Sequence, residues 1–209
     1  MNSLFDFNTE ANTYDDYYKT NFGKKIDESQ KECVKSFLNK INKGKILELG
    51  SGTGHWSEWL LEQGFEVFGI DIAEKMLEIA KSKNLQNCTF EKMSMTDLSF
   101  EDNSVENIIA ITSLEFSIDL DKTFSEIKRV LKPEGYFIAA VLNSNSIIGR
   151  TKSNNPTFSN ANFFTEEELL LRLSEFGTPS VCKSAFINDN FEIDDEGEAT
   201  MIVGFVRKE

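Results

Sequence analysis

Hydrophobic positions along the chain change period several times, and each change marks an element. Residues 26–41 place Ile26, Cys33, Val34, Phe37, Leu38 and Ile41 on one helical face. "KILELG" (45–50) then reads as a strand carrying one acid, and a helix begins near Gly54 with Trp56, Trp59, Leu60 and Leu61. "FEVFGID" (65–71) predicts a second strand and "AEKMLEIAKSK" (73–83) a second helix. "CTFEKM" and "VENIIAIT" (105–112) predict strands three and four. "LDKTFSEIKRVLKPEG" predicts a helix stopped by Pro133 and Gly135, ahead of a fifth strand, "YFIAAVL" (136–142). After a long polar stretch, "TEEELLLRLSEFG" predicts a helix that Thr165 caps, and "SVCKSAFI" and "ATMIVGFVRK" are late strands. Strands alternating with helices imply an α/β fold with a doubly wound parallel sheet. With 209 residues and no internal repeat, one domain is expected.

Composition narrows the class. Hydrophobic residues at 40% and charged residues at 27% suit a soluble globular chain. No apolar run reaches membrane-spanning length, and "MNSLFDFNTE" lacks a signal-peptide pattern, so no membrane partner is expected. Cys33, Cys88 and Cys182 are odd in number and far apart. They read as reduced thiols, which makes the expected address cytoplasmic. A net charge of −13 repels phosphate backbones and argues against nucleic acid.

The chemistry concentrates at residues 45–56, "KILELGSGTGHW". Gly50, Gly52 and Gly54 suit a loop that turns tightly from a strand into a helix while bare backbone touches a ligand. The helix start offers free N–H groups to an anion. Asp71, 21 residues after Gly50, ends the second strand, where a carboxylate can accept both hydroxyls of a ribose. The dinucleotide fingerprint would need glycine at position 55, which is His55, and Glu48 would repel a pyrophosphate. An ammonium-bearing nucleoside fits that acid better.

"ILELGSGTG" with "GIDIAEKML" resembles the first two motifs of class I S-adenosylmethionine-dependent methyltransferases, in the broad group that includes the ubiquinone and menaquinone C-methyltransferases. "SMTDLSFEDNSVENII" and "FSEIKRVLKPEGYFIAAV" extend the similarity over roughly residues 44–142, and the flanks resemble an uncharacterised small-molecule subgroup. The resemblance implies a Rossmann-like seven-stranded sheet ordered 3-2-1-4-5-7-6, with strand 7 antiparallel. It divides one methyltransferase domain into an N-terminal lid and helix (1–43), a cofactor-binding core (44–142), a substrate loop (143–164) and a C-terminal helix and strand pair (165–209). The cofactor implied is S-adenosylmethionine, with S-adenosylhomocysteine as product. By the same resemblance Gly50, Ser51 and Gly52 lie along the methionine moiety, and Glu48 shapes that loop or meets the amino group through water. Asp71 holds the ribose, Ile72 and Met76 pack on adenine, Ser94 and Met95 edge it, and Thr112 lies near the ammonium. Ser94 departs from the family's usual Asp, which weakens the bond to the adenine amino group; Glu134 in the K-P-G-G turn is a second departure.

The sulfonium already activates its methyl group, so neither a metal nor a covalent nucleophile is required. Alignment of an acceptor supplies the catalysis, up to roughly 7–11 kcal/mol. Candidates for any further catalytic role are Tyr14, Tyr18, His55 and Glu115. Tyr14, Tyr17 and Tyr18 either face the sulfonium or form a lid that merely packs, and His55 either acts as a base or covers the helix start. Glu115 either faces the acceptor or is solvated or paired, and Trp56 and Trp59 read as core rather than cage. Arg150, in the stretch 143–164, either grips an acidic substrate group or is a solvated cation beside Lys152. The acidic run 189–198 reads as a solvated loop without calcium-loop spacing. The expected activity is methyl transfer to a small-molecule acceptor by a monomer or homodimer. The alternatives are a non-catalytic S-adenosylmethionine-binding sensor or partner subunit, and an aminopropyl transferase, whose paired acids are not identifiable here.

Overall fold

The structure, a computed structural model, describes residues 3–194 and 197–209. Its sheet has seven strands: β1 (Lys45–Leu49), β2 (Glu66–Asp71), β3 (Cys88–Lys92), β4 (Val105–Ile111), β5 (Leu131–Leu142), β6 (Ser180–Phe186) and β7 (Ala199–Arg207). Their order is β3-β2-β1-β4-β5-β7-β6. The first five run parallel, and β7 inserts antiparallel between β5 and β6. This is the Rossmann-like arrangement expected of a class I methyltransferase.

Helices α1 (Asn21–Leu38), α2 (His55–Glu62), α3 (Glu74–Ser82), α4 (Leu120–Val130), α5 (Ile147–Arg150) and α6 (Glu166–Ser174) complete the fold. None among the described residues is long and apolar enough to cross a membrane. α1 starts earlier than its apolar stripe because the Thr20 hydroxyl accepts from the Gly23 N–H at 2.9 Å. Thr165 caps α6 in a reciprocal box with Glu168, as its sequence position implies. α4, expected to run to Pro133 and Gly135, ends at Val130, and β5 already begins at Leu131. The proline accounts for this, since its ring pushes the preceding backbone out of the helical region.

Alternation along the strands splits the core between the two sheet faces. Leu47 and Leu49 of β1 pack with Phe124 and Ile127 of α4 and with Leu169 and Leu173 of α6. Ile46 points the other way, onto Val34 and Phe37 of α1 and Trp59 and Leu60 of α2. Glu48 shares the face of Ile46 because it lies two residues on. Trp56 and Trp59 both belong to this core, their rings 5.4 Å apart.

One expectation is corrected. Cys33 and Cys182 are not free thiols: they form a disulfide, their Cα atoms 6.0 Å apart across the contact of α1 with β6. Cys88 is the free cysteine. The polar stretch 143–164 leaves the carboxyl end of β5. It contains α5 and a 3-10 turn, Lys152–Asn154, and it returns to the sheet where Asn143 pairs with Phe164. The acidic run 189–198 joins β6 to β7, with residues 195 and 196 outside the described residues.

Candidate active site

β1 has β2 on one side and β4 on the other, so the connections leave it in opposite directions and open a crevice at its carboxyl end. A cavity of about 830 Å³, its mouth included, fills that crevice. Gly50, Ser51 and Gly52 form its edge, with φ values of +73° at Gly50 and +54° at Gly52. A Cβ on Gly50 would sit 2.4 Å from the Ser113 Cβ, whereas a Cβ on Gly52 would meet nothing within 4 Å. One glycine thus permits close packing behind the loop, and the other keeps its open face toward the cavity.

Asp71 holds this loop in place. Its Oδ2 accepts the Gly52 N–H at 2.9 Å, and its Oδ1 accepts the Ala73 N–H at 2.8 Å. Burial pushes its carboxyl up, with the backbone bonds pulling the other way. A carboxylate has about four acceptor positions, so two bonds leave capacity for a ligand. Ser51 Oγ is buried on the cavity wall without a hydrogen-bond partner among the described residues. Ile72, Met76, Ser94, Met95 and Thr112 also line the cavity. The Ser94 hydroxyl is shared with Thr96 at 2.8 Å. Thr112 holds a φ of +45°, strained for a β-branched residue, and its N–H is bonded to the Ala140 carbonyl at 2.8 Å.

The N-terminal segment straps across the opening. Leu4 donates its N–H to the Phe116 carbonyl at 3.0 Å, and Asn8 accepts from the Lys75 N–H at 3.0 Å. The Asp15 carboxylate accepts the Thr53 hydroxyl at 2.5 Å and pairs with Lys83 at 3.1 Å. Tyr14 and Tyr18 line the cavity beneath this strap, and burial pushes both hydroxyls up. His55 lines it too, stacked on Tyr18 with ring centroids 3.6 Å apart.

Three candidates lie elsewhere. Glu48 is buried behind the loop, where its Oε2 accepts the Ser57 hydroxyl at 2.5 Å. Glu115 is not solvated; it is fully buried beside the cavity wall, accepting the Leu142 N–H at 2.5 Å, and among the described residues it has no ion pair and its other oxygen is unbonded. Its carboxyl is pushed up to about 7 by burial, against that backbone bond. Arg150 is outside the cavity, its guanidinium bonded to the Asn145 carbonyl and the Asp189 carboxylate. Asp27 and Lys31, which support the site from behind, and Ser113 on its wall carry no local sequence signal; they are found only through packing.

Residues 47–139 match the family described as "Methyltransferase domain". That match spans under half of the chain and, with the sheet order, supports a class I S-adenosylmethionine-dependent methyltransferase domain there. The chain is 28% identical over 174 residues to MJ1123 of Methanocaldococcus jannaschii, covering 79% of this chain and 81% of that one. It is 33% identical over 96 residues to the demethylmenaquinone methyltransferase of Tropheryma whipplei, covering 45% of this chain and 40% of that enzyme, so it spans under half of that relative. Among solved structures it is similar to a SAM-dependent methyltransferase of Thermotoga maritima, described as a possible histamine N-methyltransferase. That match has a TM-score of 0.82 and 24% identity and covers 97% and 98% of the two chains, a likeness of fold.

The buried acid behind the loop makes stability pH-dependent. Burial pushes Glu48 up to about 8, the Ser57 bond opposing, from an ordinary value of 4.5. Between those values the folded chain keeps a proton that the unfolded chain has lost, so Glu48 lowers stability as pH rises through that window. Glu115 acts in the same direction up to about 7. Glu48→Gln is expected to remove the Glu48 part, stabilising the protein by about 5 kcal/mol at about pH 9 and little at about pH 4. Urea unfolding of both proteins across that range reads it; identical pH slopes would mean that Glu48 folds in its ionised form.

Proposed function

We propose that the methyltransferase binds S-adenosylmethionine in the cavity at the end of β1 and transfers its methyl group to a small-molecule acceptor. The observation that carries this reading is the pairing of an open glycine face at Gly52 with the Asp71 carboxylate tied to the same loop. Bare backbone from Gly50 to Gly52 accommodates the methionine end, and the unbonded Ser51 hydroxyl offers it a polar partner. Asp71 takes the ribose hydroxyls, Ile72 and Met76 take one face of the adenine, and Ser94 and Met95 take its edge. Thr112 stands by the ammonium. Glu48 acts from behind, fixing the loop against α2 through Ser57.

When bound, the cofactor supplies a methyl group already activated on sulfonium sulfur. The chain's own work is then to hold the acceptor in line and keep water out. Tyr14, Tyr18 and the strap that carries them close over the site. The net charge of −13 favours a small acceptor over a nucleic acid.

Calorimetry with S-adenosylmethionine, followed by detection of S-adenosylhomocysteine in the presence of acceptor panels, tests the reading. Micromolar binding with product formation is the expected result, about −8 kcal/mol. Folded protein that fails to bind the cofactor would refute it, and binding without turnover on any panel would favour the sensor alternative.

A further inference from the structure

Beside the glycine loop the cavity wall carries a set of side chains that cofactor binding leaves unused. His55 is the only histidine in the chain and opens α2 directly after Gly54. Its Nε2 lies 2.8 Å from Asp27 Oδ1, and Lys31 Nζ holds the other oxygen of that carboxylate at 2.6 Å. Asp27 belongs to α1, outside the cavity, and is 8% exposed. Burial pushes its carboxyl up, but the bonds from His55 and Lys31 outweigh burial and hold it below the usual range. Asp27 is therefore ionised and only accepts, which assigns the hydrogen of this contact to Nε2. An Nε2 that carries a hydrogen has no lone pair for Lys31, whose Nζ is 3.3 Å away. Nδ1 has no protein partner among the described residues and keeps its lone pair in the neutral ring. Tyr18 stacks on the ring at an interplanar angle of 10°, so α1 and the strap fix it from two sides.

We propose that the acceptor is a small amine and that His55, oriented by Asp27, takes its proton through Nδ1; this rests on the methyltransferase reading above. Tyr14, Tyr18, Trp56 and Phe116 line the cavity, and among the described residues no lysine or arginine lines it. Aromatic faces attract a cation, and Lys31, the cation that lies over Trp56, is held by Asp27 and so is not free to pair with a carboxylate acceptor. The Tyr14 hydroxyl is pushed up by burial, against a bond from Tyr18, and further by the carboxylates of Asp71 and Asp15, the sign of field that draws in an ammonium.

An ammonium has no lone pair, so its proton must leave before the nitrogen can attack. One N–H bond breaks and its proton passes to Nδ1. The freed nitrogen pair forms the N–CH3 bond as the S–CH3 bond breaks, and sulfur keeps the electron pair, giving S-adenosylhomocysteine. The methylated amine leaves as an ammonium. Asp27 stabilises the imidazolium until it returns its proton to solvent. Besides Asp27, Lys31 and Tyr18, the groups around this ring include Tyr14 behind Tyr18 and Asp15 on the neighbouring Thr53.

The full chain is incubated with S-adenosylmethionine and phenethylamine, tyramine or histamine, with benzoate and catechol as non-amine probes, and S-adenosylhomocysteine is quantified. Turnover of an amine is expected, with His55→Ala lowering kcat by about 10²-fold or more. S-adenosylhomocysteine should still bind that variant, which also shows that it is folded. The single-proton rise of kcat/KM with pH should vanish in His55→Ala, and Asp27→Asn should lose activity in the same direction. A second readout needs no turnover. Nitrogen-15 histidine labelling gives one imidazole spin system, which should show the Nε2–H tautomer with S-adenosylhomocysteine bound. Protein that binds S-adenosylmethionine but methylates no amine overturns the proposal. So does a His55→Ala variant that keeps the pH rise, or an Nδ1–H tautomer in the wild type. Failure to bind S-adenosylmethionine at all removes the methyltransferase reading as well, and calorimetry separates that case.

Discussion

Asp71→Ala is expected to weaken S-adenosylmethionine binding by about 10²-fold, near 2.7 kcal/mol. Two losses combine in that figure. In the proposed complex the ribose hydroxyls lose a charged acceptor, and such bonds contribute about 1.5–3 kcal/mol each. The loop also loses its tether, since Gly52 N–H and Ala73 N–H both donate to this carboxylate. Asp71→Asn separates the two, because its carbonyl can still accept from one of the two N–H groups while the charge is gone. Calorimetry should rank wild type above Asn and Asn above Ala. Arg150→Ala, outside the cavity and held by Asp189, should bind as wild type does. Equal affinity for wild type and Asp71→Ala would mean that the ribose lies elsewhere.

Gly50→Ala should cost about 3 kcal/mol of stability, from two independent sources. The left-handed conformation at φ +73° costs a Cβ-bearing residue roughly 1–2 kcal/mol. The new methyl would also overlap the Ser113 Cβ, only 2.4 Å away, and overpacking of this kind costs roughly 1–3 kcal/mol. Gly50→Ala combined with Ser113→Gly should recover the overlap but not the backbone strain, when each is compared with its own parent. Urea unfolding of the four proteins gives the coupling directly. A coupling of zero would show that the loop moves away from Ser113 at no cost.

Much of this site was legible in the chain because its determinants are local. Gly50 and Gly52 adopt positive φ as residues without a Cβ can, and Asp71 follows at the end of the next strand. The 2.0 and 3.6 periods delimit strands and helices within a few residues, and Thr165 announces its own cap. The α4 boundary is the instructive local error, since the residues before Pro133 are already extended.

What the sequence by itself determined is the alternating α/β order, the glycine loop and the acid that ends β2. Each depends on the backbone preferences of residues close together in the chain. Only the tertiary structure decided which distant side chains meet. Asp27 and His55 are 28 positions apart and join because α1 packs against the start of α2. Cys33 and Cys182, separated by 149 positions, join because the same helix crosses β6. Glu48, Glu115 and Arg150 are all polar candidates in the sequence, yet packing turned the first toward Ser57, buried the second against β5 and gave the third to Asp189. A side chain's partner depends on where several elements come to rest, and no short stretch of chain contains that information.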